Sequence, residues 1–372
     1  MSVARNKHWE DNRETLRLVT RLVEGETRSH MNTEWKGEMT VGELIEDTHM
    51  GRPHVVVIGA GASVAAFPGG DSTGKALPVM DNLVDVVGVG PVLERKGIDY
   101  KGRNFETVYS ELCRETVYHE TLRDVEGKIR AYFREMKLPK RPTMYDHLVL
   151  SLREKDLIAS FNWDPFLYQA CWRNHREVSL PHTAYLHGNV AVGYCPKDNR
   201  MGLAGTQCSK CGDAFIDSKL VFPVTRKDYA EDPFIASEWR DLRTALKNAY
   251  LLTIFGYGAP QSDVEAIRLM KEAWGSVATR NLEQVEIIDI KSEEDLSATW
   301  QDFIHTHHYR VRGDFYDSCI ANFPRRTCEA EWNASMECRF LSLNPIPRSV
   351  GFDGLWAWYR ALATTERRKP AT

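Results

Sequence analysis

The chain has 372 residues, of which 42 % are hydrophobic and 27 % charged, a composition typical of folded globular proteins and unlike that of disordered or collagen-like chains. Its 48 basic and 52 acidic residues give a net charge of −4, which argues against the basic surface of a dedicated nucleic-acid-binding protein. We therefore expect a folded protein that binds no nucleic acid directly and is long enough for two or three domains.

The sequence gives no indication of secretion or of a membrane span. Residues 1–17 carry charges throughout and lack the apolar core of a signal peptide. The longest weakly polar run, residues 55–67, is too short to cross a bilayer. With eight cysteines and no secretory signal, we predict a cytoplasmic protein with reduced thiols, in which a Cys-x-x-Cys pair binds metal and does not form a disulfide.

The order of elements along the chain predicts an α/β fold. Residues 1–50 form an expected helical appendage, with an amphipathic helix at residues 12–23. Four apolar, β-branched runs then predict strands covered on both faces, and each precedes a helix-like segment. This alternation predicts a Rossmann-like parallel sheet with helices on both faces. The predicted strands cover residues 54–58, 157–161, 250–255 and 285–290.

The remaining segments predict a second, smaller lobe and an extension. Residues 105–150 are expected to form a helical insertion, and residues 193–215 a zinc-ribbon-like module. Residues 51–292 would then be one domain with these two insertions, and residues 293–372 a carboxy-terminal extension.

The first strand end is rich in glycine. Its sequence, Gly59-Ala60-Gly61-Ala62-Ser63, permits a tight turn and the close approach of a phosphate to backbone N–H groups at a helix start. A complete dinucleotide motif would need a further glycine, so a tight turn without a ligand is the alternative.

The ends of later elements carry polar side chains. Asn162 and Asp164 are two residues apart, so in an extended chain both point the same way and would hold a ribose. Alternatively they cap the following helix. His187 titrates near neutral pH and can transfer protons, and the neighbouring Gly188 would leave space for a ligand.

Two further strand ends offer dinucleotide contacts. The turn after the third predicted strand would provide a second phosphate or ribose contact. Asp289, after the fourth, would accept a hydrogen bond from an adenosine ribose, although it would also be an ordinary solvated strand end. The candidate residues of the third turn are Gly256, Gly258, Ser262 and Asp263.

Two pairs of metal-ligating residues predict a metal site, and each pair has two residues between its members. Cys195 and Asp198 form one of these hooks, and Cys208 and Cys211 the other, with nine residues between the two hooks. The pattern resembles a zinc ribbon in which Asp198 replaces the fourth cysteine. The alternative is a degenerate loop that binds no metal.

Two other patterns give weaker indications of a phosphate or metal site. Gly69, Gly74 and Lys75 have the spacing of a phosphate-binding P-loop, but Ala76 lacks the hydroxyl that binds Mg²⁺. A histidine cluster could bind metal but is more typical of a solvated helix end; it consists of His305, His307 and His308.

Taken in chain order, these motifs resemble those of the SIR2 (sirtuin) family over residues 51–292. The resemblance implies that NAD⁺ binds in a cleft between a Rossmann-like domain and a zinc-containing lobe. It implies that Asn162 and Asp164 surround the nicotinamide ribose and that His187 is the catalytic base. It assigns NAD⁺ binding at the first strand end to Gly59, Ala60, Gly61 and Ser63.

The chain departs from sirtuin deacylases at two places. Residues 67–72 read F-P-G-G-D-S instead of G-I-P-D-F-R, and residues 220–227 read L-V-F-P-V-T-R-K where deacylases have a peptide-pairing F-G-E segment. The second stretch resembles the SIR2-like NAD hydrolases of bacterial anti-phage defence.

This closer resemblance implies an NAD⁺ glycohydrolase that releases nicotinamide and ADP-ribose. It would deplete NAD⁺ during phage infection, as a homo-oligomer or with a partner protein of the defence system. The alternatives are an NAD-dependent protein deacylase and a non-catalytic NAD or ADP-ribose sensor in a larger complex.

Overall fold

The computed structural model describes residues 37–224, 227–276, 278–304 and 308–367. The amphipathic helix predicted at residues 12–23 lies outside these ranges, as do His305 and His307. The chain divides into two compact units, residues 1–38 and 39–372.

Strands are labelled in chain order: β1 (Glu38–Met39), β2 (His54–Ile58), β3 (Leu157–Ser160), β4 (His182–Tyr185), β5 (Val192–Cys195), β6 (Arg200–Leu203), β7 (Ile216–Asp217), β8 (Leu251–Phe255), β9 (Gln284–Ile288), β10 (Tyr309–Arg312) and β11 (Phe340–Leu341).

Helices are labelled in the same way: α1 (Val41–Glu46), α2 (Ala60–Ala66), α3 (Leu83–Val87), α4 (Gly90–Glu94), α5 (Phe105–Leu112), α6 (His119–Arg134), α7 (Met144–Leu150), α8 (Phe166–Asn174), α9 (Pro233–Asn248), α10 (Val264–Trp274), α11 (Glu293–Trp300), α12 (Cys319–Asn322), α13 (Thr327–Ser335) and α14 (Phe352–Ala363). Short 3₁₀ turns cover Thr116–Tyr118, Gln261–Asp263, Phe315–Asp317 and Thr365–Arg367.

The main sheet is parallel throughout and contains six strands in the order β4-β3-β2-β8-β9-β10. Numbered along the chain, this order is 3-2-1-4-5-6, the topology of doubly wound dinucleotide-binding folds. The predicted Rossmann-like α/β fold is therefore confirmed. The strand order reverses between β2 and β8, and ligands of such sheets bind beyond the carboxyl ends at this switch point.

The central strand β2 is fully buried and almost entirely apolar. In β2, residues 55–58 are Val-Val-Val-Ile and are at most 1 % exposed, because helices cover both faces of the sheet. The edge strands β4 and β10, which read HTAY and YRVR, were not predicted. Each is partly accessible and mixes polar with apolar residues, so it lacks the continuous apolar run that marked the central strands.

The smaller lobe joins helices to a second sheet. The segment between α2 and β3 is helical and includes α5, α6 and α7. Strands β5, β6 and β7 form a three-stranded antiparallel sheet in the order β6-β5-β7. In this sheet the Phe215 ring fills the space above Gly202, where a Cβ would lie 2.4 Å from the ring.

The segment beyond residue 292 packs closely on the main sheet. Strand β10 pairs with β9, so the predicted domain boundary at residue 292 falls between two hydrogen-bonded strands. Arg325 is 1 % exposed, donates to the carbonyls of Leu150 and Leu152, and forms an ion pair with Glu366. Of the helices in the described ranges, none combines the length and apolar character required to cross a membrane.

Candidate functional site

Two glycine-rich loops meet at the switch point, one after β2 and one after β8. The Gly61 amide donates to the Gly256 carbonyl over 2.9 Å. A Cβ on Gly59 or Gly61 would lie within 2.8 Å of the Gly256 loop backbone, and one on Gly256, whose φ is +59°, would lie 2.2 Å from the Ala62 nitrogen. The glycines thus allow the two loops to touch. Their role in binding a phosphate stays a prediction, since the Gly59 and Gly61 amides donate to protein carbonyls here.

The first polar cluster, named the Asn162 cluster, contains Ser63, Tyr145, Asn162 and Asp164. The Ser63 hydroxyl lies 2.6 Å from the Tyr145 hydroxyl and donates to the Asp164 carboxylate over 2.7 Å. The Asn162 amide donates to the Gly59 carbonyl over 2.9 Å and to the Ser63 hydroxyl over 3.1 Å. The structure therefore brings three predicted site residues together. All four residues are buried.

The Asp164 carboxylate combines two roles. One oxygen accepts the amide of Phe166, the first residue of α8, and the other accepts the Ser63 hydroxyl. Burial raises the Asp164 pKa to about 6, although these two hydrogen bonds oppose the rise. The group thus titrates close to neutral pH, which is common at functional sites.

The second polar cluster, named the His187 cluster, contains His187, Lys227, Tyr229, Tyr257 and Asp263. His187 Nε2 lies 2.9 Å from the Tyr229 hydroxyl and 3.7 Å from the Asp263 carboxylate. Asp263 accepts the Tyr257 hydroxyl over 2.7 Å and forms an ion pair with the Lys227 ammonium. The side chains of Lys227 and Asp263 are each only 3 % exposed, so this charge pair is almost fully removed from water.

The surroundings of His187 keep its imidazole uncharged. Burial lowers the His187 pKa to about 3; the Asp263 carboxylate opposes this shift and the Lys227 charge adds to it. Among the described residues, Nδ1 of His187 has no hydrogen-bond partner, whereas Nε2 contacts Tyr229. The imidazole therefore offers one ring nitrogen as an available proton acceptor.

The pKa of Asp263 is lowered within the same cluster. Burial alone would raise it, but attraction to His187 in its protonated form, the Lys227 charge, and the hydrogen bonds from Lys227 and Tyr257 outweigh that effect. The carboxylate therefore stays ionised beside the imidazole and would stabilise a proton that His187 receives.

The two clusters lie past the ends of neighbouring strands. Ser160 and Tyr185 end β3 and β4 in register, so Asn162 and His187 are each two residues beyond a paired position. The Asn189 amide joins the two loops by donating to the Asp164 carbonyl over 2.6 Å. In the ranges that the structure describes, no hydrogen bond links a side chain of one cluster to a side chain of the other.

An aromatic contact and a glycine complete this region. The Phe161 ring stacks on Tyr257 with 4.0 Å between centroids and meets the His187 ring edge to face at 4.8 Å. Gly188 has φ +74°, and a Cβ there would lie 1.9 Å from the Lys219 carbonyl oxygen. The space beside Gly188 is thus filled by backbone and does not admit a ligand, which corrects the interpretation of this glycine.

The other predicted contacts lie around this centre. The Ser262 hydroxyl donates to Glu106 over 2.9 Å and lies 3.3 Å from the Lys227 nitrogen, so it borders the His187 cluster. Asp289 accepts the Lys291 amide in its own turn, over 3.0 Å. The Lys291 ammonium also lies near Gly258, 3.7 Å from the position of a Cβ there. None of these contacts tests binding of a dinucleotide.

Sequence reasoning missed Tyr145 and Lys227 as site residues. Tyr145 comes from α7, in the helical insertion, and Lys227 lies in an irregular segment. Their partners are 82 and 36 residues away along the chain, at Ser63 and Asp263. Neither residue belongs to a recognisable spacing pattern, although Lys227 ends the stretch that departs from the deacylase sequence.

The candidate metal centre brings together all four predicted ligands. One ligand atom each from Cys195, Asp198, Cys208 and Cys211 lies within 4.8 Å of the others. The two sulfurs of Cys195 and Cys211 are 3.5 Å apart, and Asp198 Oδ2 is 3.4 Å from the Cys208 sulfur. A tetrahedral zinc ion with Zn–S bonds of about 2.3 Å places its sulfur ligands roughly 3.8 Å apart. These residues therefore fit zinc, and Lys210 orients Asp198 through its other oxygen at 2.9 Å.

Comparisons with known proteins gave matches only among solved structures, since no family model and no curated protein matches the sequence. A Sir2 homologue in complex with NAD is 14 % identical, with 88 % of this chain and 96 % of that chain covered and a TM-score of 0.33. A structure described as showing the mechanism and regulation of Sir2 enzymes is 13 % identical, with 79 % and 94 % covered and a TM-score of 0.35. A structure on sirtuin substrate affinity is 15 % identical, with 72 % and 91 % covered and a TM-score of 0.36. The fold assignment rests on the strand order, and the likenesses add no functional evidence to it.

Proposed function

We propose that the protein is an NAD⁺ glycohydrolase, which hydrolyses NAD⁺ to nicotinamide and ADP-ribose. The observation that carries this proposal is the position of the Asn162 cluster and the uncharged His187 imidazole past the ends of adjacent strands, next to the switch point. Crevices at such switch points take dinucleotides. The sequence resemblance described above supports NAD⁺ as the dinucleotide.

The proposed reaction needs few protein groups. Breaking the bond between nicotinamide and the ribose leaves a positively charged, oxocarbenium-like sugar, so the site must hold the ribose and place a water molecule. The nicotinamide leaves with the electron pair of the broken bond, and the water oxygen bonds to the same ribose carbon. Asn162 and Asp164 would hold the ribose in this geometry, and the Asp164 carboxylate would offset the positive charge.

His187 would accept the proton that the attacking water loses. Its Nδ1 has no partner among the described residues, so we assign the ring proton to Nε2, where it would donate to Tyr229. The Asp263 carboxylate, 3.7 Å away, would stabilise the imidazolium that forms. General-base catalysis of this kind contributes roughly 10²- to 10⁴-fold to a rate.

The remaining parts of the chain would have supporting roles. Zinc, bound by three thiolates and one carboxylate, would stabilise the small lobe without taking part in the reaction. From the resemblance we further propose cytoplasmic action as an NAD⁺-depleting effector in anti-phage defence, in a homo-oligomer or with a partner protein.

The test is an assay of NAD⁺ consumption by the full chain, with nicotinamide and ADP-ribose measured by chromatography. It is run alone and with the products of neighbouring genes, because an effector would be silent until triggered. We expect turnover without any peptide, and a loss of roughly 10²-fold or more in His187→Gln. The control is His175→Gln, which changes an exposed histidine.

Each other outcome contradicts the proposal. Turnover that requires an acyl-lysine peptide would indicate a deacylase. Saturable NAD⁺ binding without turnover under any condition would indicate a sensor. A His187→Gln protein that consumes NAD⁺ at the parent rate would remove the assignment of the base.

A further inference from the structure

A surface groove of about 470 Å³ opens between α9, α10 and the segment that follows residue 226. Its volume is within the range of sites that hold small molecules, about 300–1,000 Å³. It shares Lys227 and Tyr229 with the His187 cluster, but its lining includes no residue of the Asn162 cluster or of the glycine-rich loops after β2 and β8. The lining residues that matter here are Lys227, Tyr229, Trp239, Arg240, Arg243 and Arg268.

The basic side chains of the groove differ in whether their charge is already paired. Arg268 is already paired with Glu265 and Glu272 on its own helix, and Lys227 is paired with Asp263. In contrast, the guanidinium groups of Arg240 and Arg243 have no hydrogen-bond or ion-pair partner in the part of the chain that the structure describes. The groove therefore keeps two uncompensated guanidinium groups.

The spacing of these arginines places them side by side on α9. Arg240 and Arg243 are three residues apart on α9, so they are neighbours on one helix face, and both are exposed. A guanidinium group presents a planar fork of donors that matches the oxygens of a phosphate. The carboxylates that also line the groove are partly engaged, since Glu265 binds Arg268 and Asp228 accepts the Ala230 amide.

The floor of the groove is aromatic and touches the proposed base. The Tyr229 and Trp239 rings pack with 4.5 Å between centroids, and the Trp239 indole is fixed by its bond to the Leu186 carbonyl. On its inner side, Tyr229 contacts His187 through its hydroxyl. The groove and the proposed catalytic centre thus share Tyr229 as a wall.

We propose that this groove binds a phosphate-bearing ligand of the nucleotide class, held by Arg240 and Arg243. A free phosphate ion would fill only a small part of a groove of about 470 Å³, whereas a nucleotide would be large enough to occupy it with its phosphate on the two arginines. The inference goes beyond the proposed function, because it concerns a second site and does not require that NAD⁺ is cleaved.

The test is calorimetric titration of the full chain with AMP, inorganic phosphate and adenosine. The Asn162→Ala variant is used as the parent, so that binding at the proposed catalytic centre is weakened. We expect saturable AMP binding that weakens with salt, and a loss of at least about tenfold in affinity when Arg240 and Arg243 are both changed to glutamine. The control is Arg123→Gln, an exposed helical arginine on α6, which should bind AMP like the parent.

Three results would overturn the proposal. The first is an unchanged AMP affinity in the doubly substituted protein, and the second is adenosine binding as tightly as AMP. The third is equal affinity for inorganic phosphate and AMP, which would reduce the groove to a simple anion site. Because titration measures binding without turnover, these results are independent of the NAD⁺-cleavage assay.

Discussion

Replacing Lys227 by methionine removes the cation from the buried pair beside His187. Both side chains of this pair are 3 % exposed, so Asp263 would stay buried beside the Tyr257 hydroxyl and the His187 imidazole without its cationic partner. Removing one partner of a buried ion pair typically costs about 3–5 kcal/mol. We predict a loss of this size in the free energy of unfolding of Lys227→Met at pH 8.

The predicted cost depends on pH through His187. In the parent protein the folded-state pKa of His187 is about 3, whereas an unfolded chain titrates near 6.5. The unfolded state therefore binds more protons between these values, and at pH 5 this removes about 2 kcal/mol of the parent's stability. In Lys227→Met the repelling cation is gone, so the pKa of His187 rises and its protonated form neutralises Asp263. The substitution should consequently cost less at pH 5 than at pH 8.

The assay is urea denaturation followed by fluorescence at both pH values. The matched control is Lys219→Met, because Lys219 pairs with Glu231 and their side chains are 49 % and 68 % exposed. Exposed pairs contribute about 0–1 kcal/mol, so this control should lose little at either pH. Equal small losses in both variants, or a cost of Lys227→Met that does not change between pH 5 and pH 8, would refute the reasoning.

Three further predictions follow from the same structure. The raised pKa of Asp164, about 6, means that ionisation of this group costs the folded state about 2.5 kcal/mol between pH 4 and pH 8. Asp164→Asn lacks this cost, so its stability relative to the parent should be higher at pH 8 than at pH 4, and a pH-independent difference in urea midpoints would contradict this. Elemental analysis should find one zinc per chain, lost in Cys208→Ser and kept in Cys338→Ser, which changes an exposed thiol; a metal-free parent would show that the hooks are degenerate. Gly188→Ala should lower stability by at least about 2 kcal/mol because of its left-handed backbone and the Lys219 carbonyl, whereas Gly313→Ala, with open space around it, should change thermal unfolding little.

The sequence predicts the centre of the fold better than its edges. A strand such as β2 is covered on both faces, so its residues must all be apolar, and this requirement is visible as a continuous run. Strands β4 and β10 each have one neighbour in the sheet and tolerate polar residues, so no pattern distinguishes them from loops. The reversal of strand order at β2 and β8 depends on pairing between distant segments, which periodicity does not encode.

Of the candidate site, the sequence predicts only those residues that directly follow the end of a strand. Asn162, Asp164 and His187 lie directly after predicted or short apolar segments, so the geometry of a parallel sheet places them at one edge. Tyr145 and Lys227 reach that edge from other elements and can be found only with coordinates. For the glycines, the sequence predicts close approach but does not tell whether the neighbour is a ligand or, as at Gly188, another part of the backbone.

Two of the three buried histidines of the described ranges, His54 and His187, differ in how their rings are hydrogen-bonded. His54 and His187 both have pKa values lowered to about 3 by burial. The His54 ring is held on both nitrogens by the hydroxyls of Thr253 and Thr327, within a strand, so its hydrogen bonding is complete and structural. His187 lies beyond a strand end, keeps Nδ1 without a partner among the described residues, and faces the Lys227–Asp263 pair, which is costly to bury. A buried charge pair adds little net stability, and the position of the Lys227–Asp263 pair beside the imidazole agrees with the role that we propose for His187.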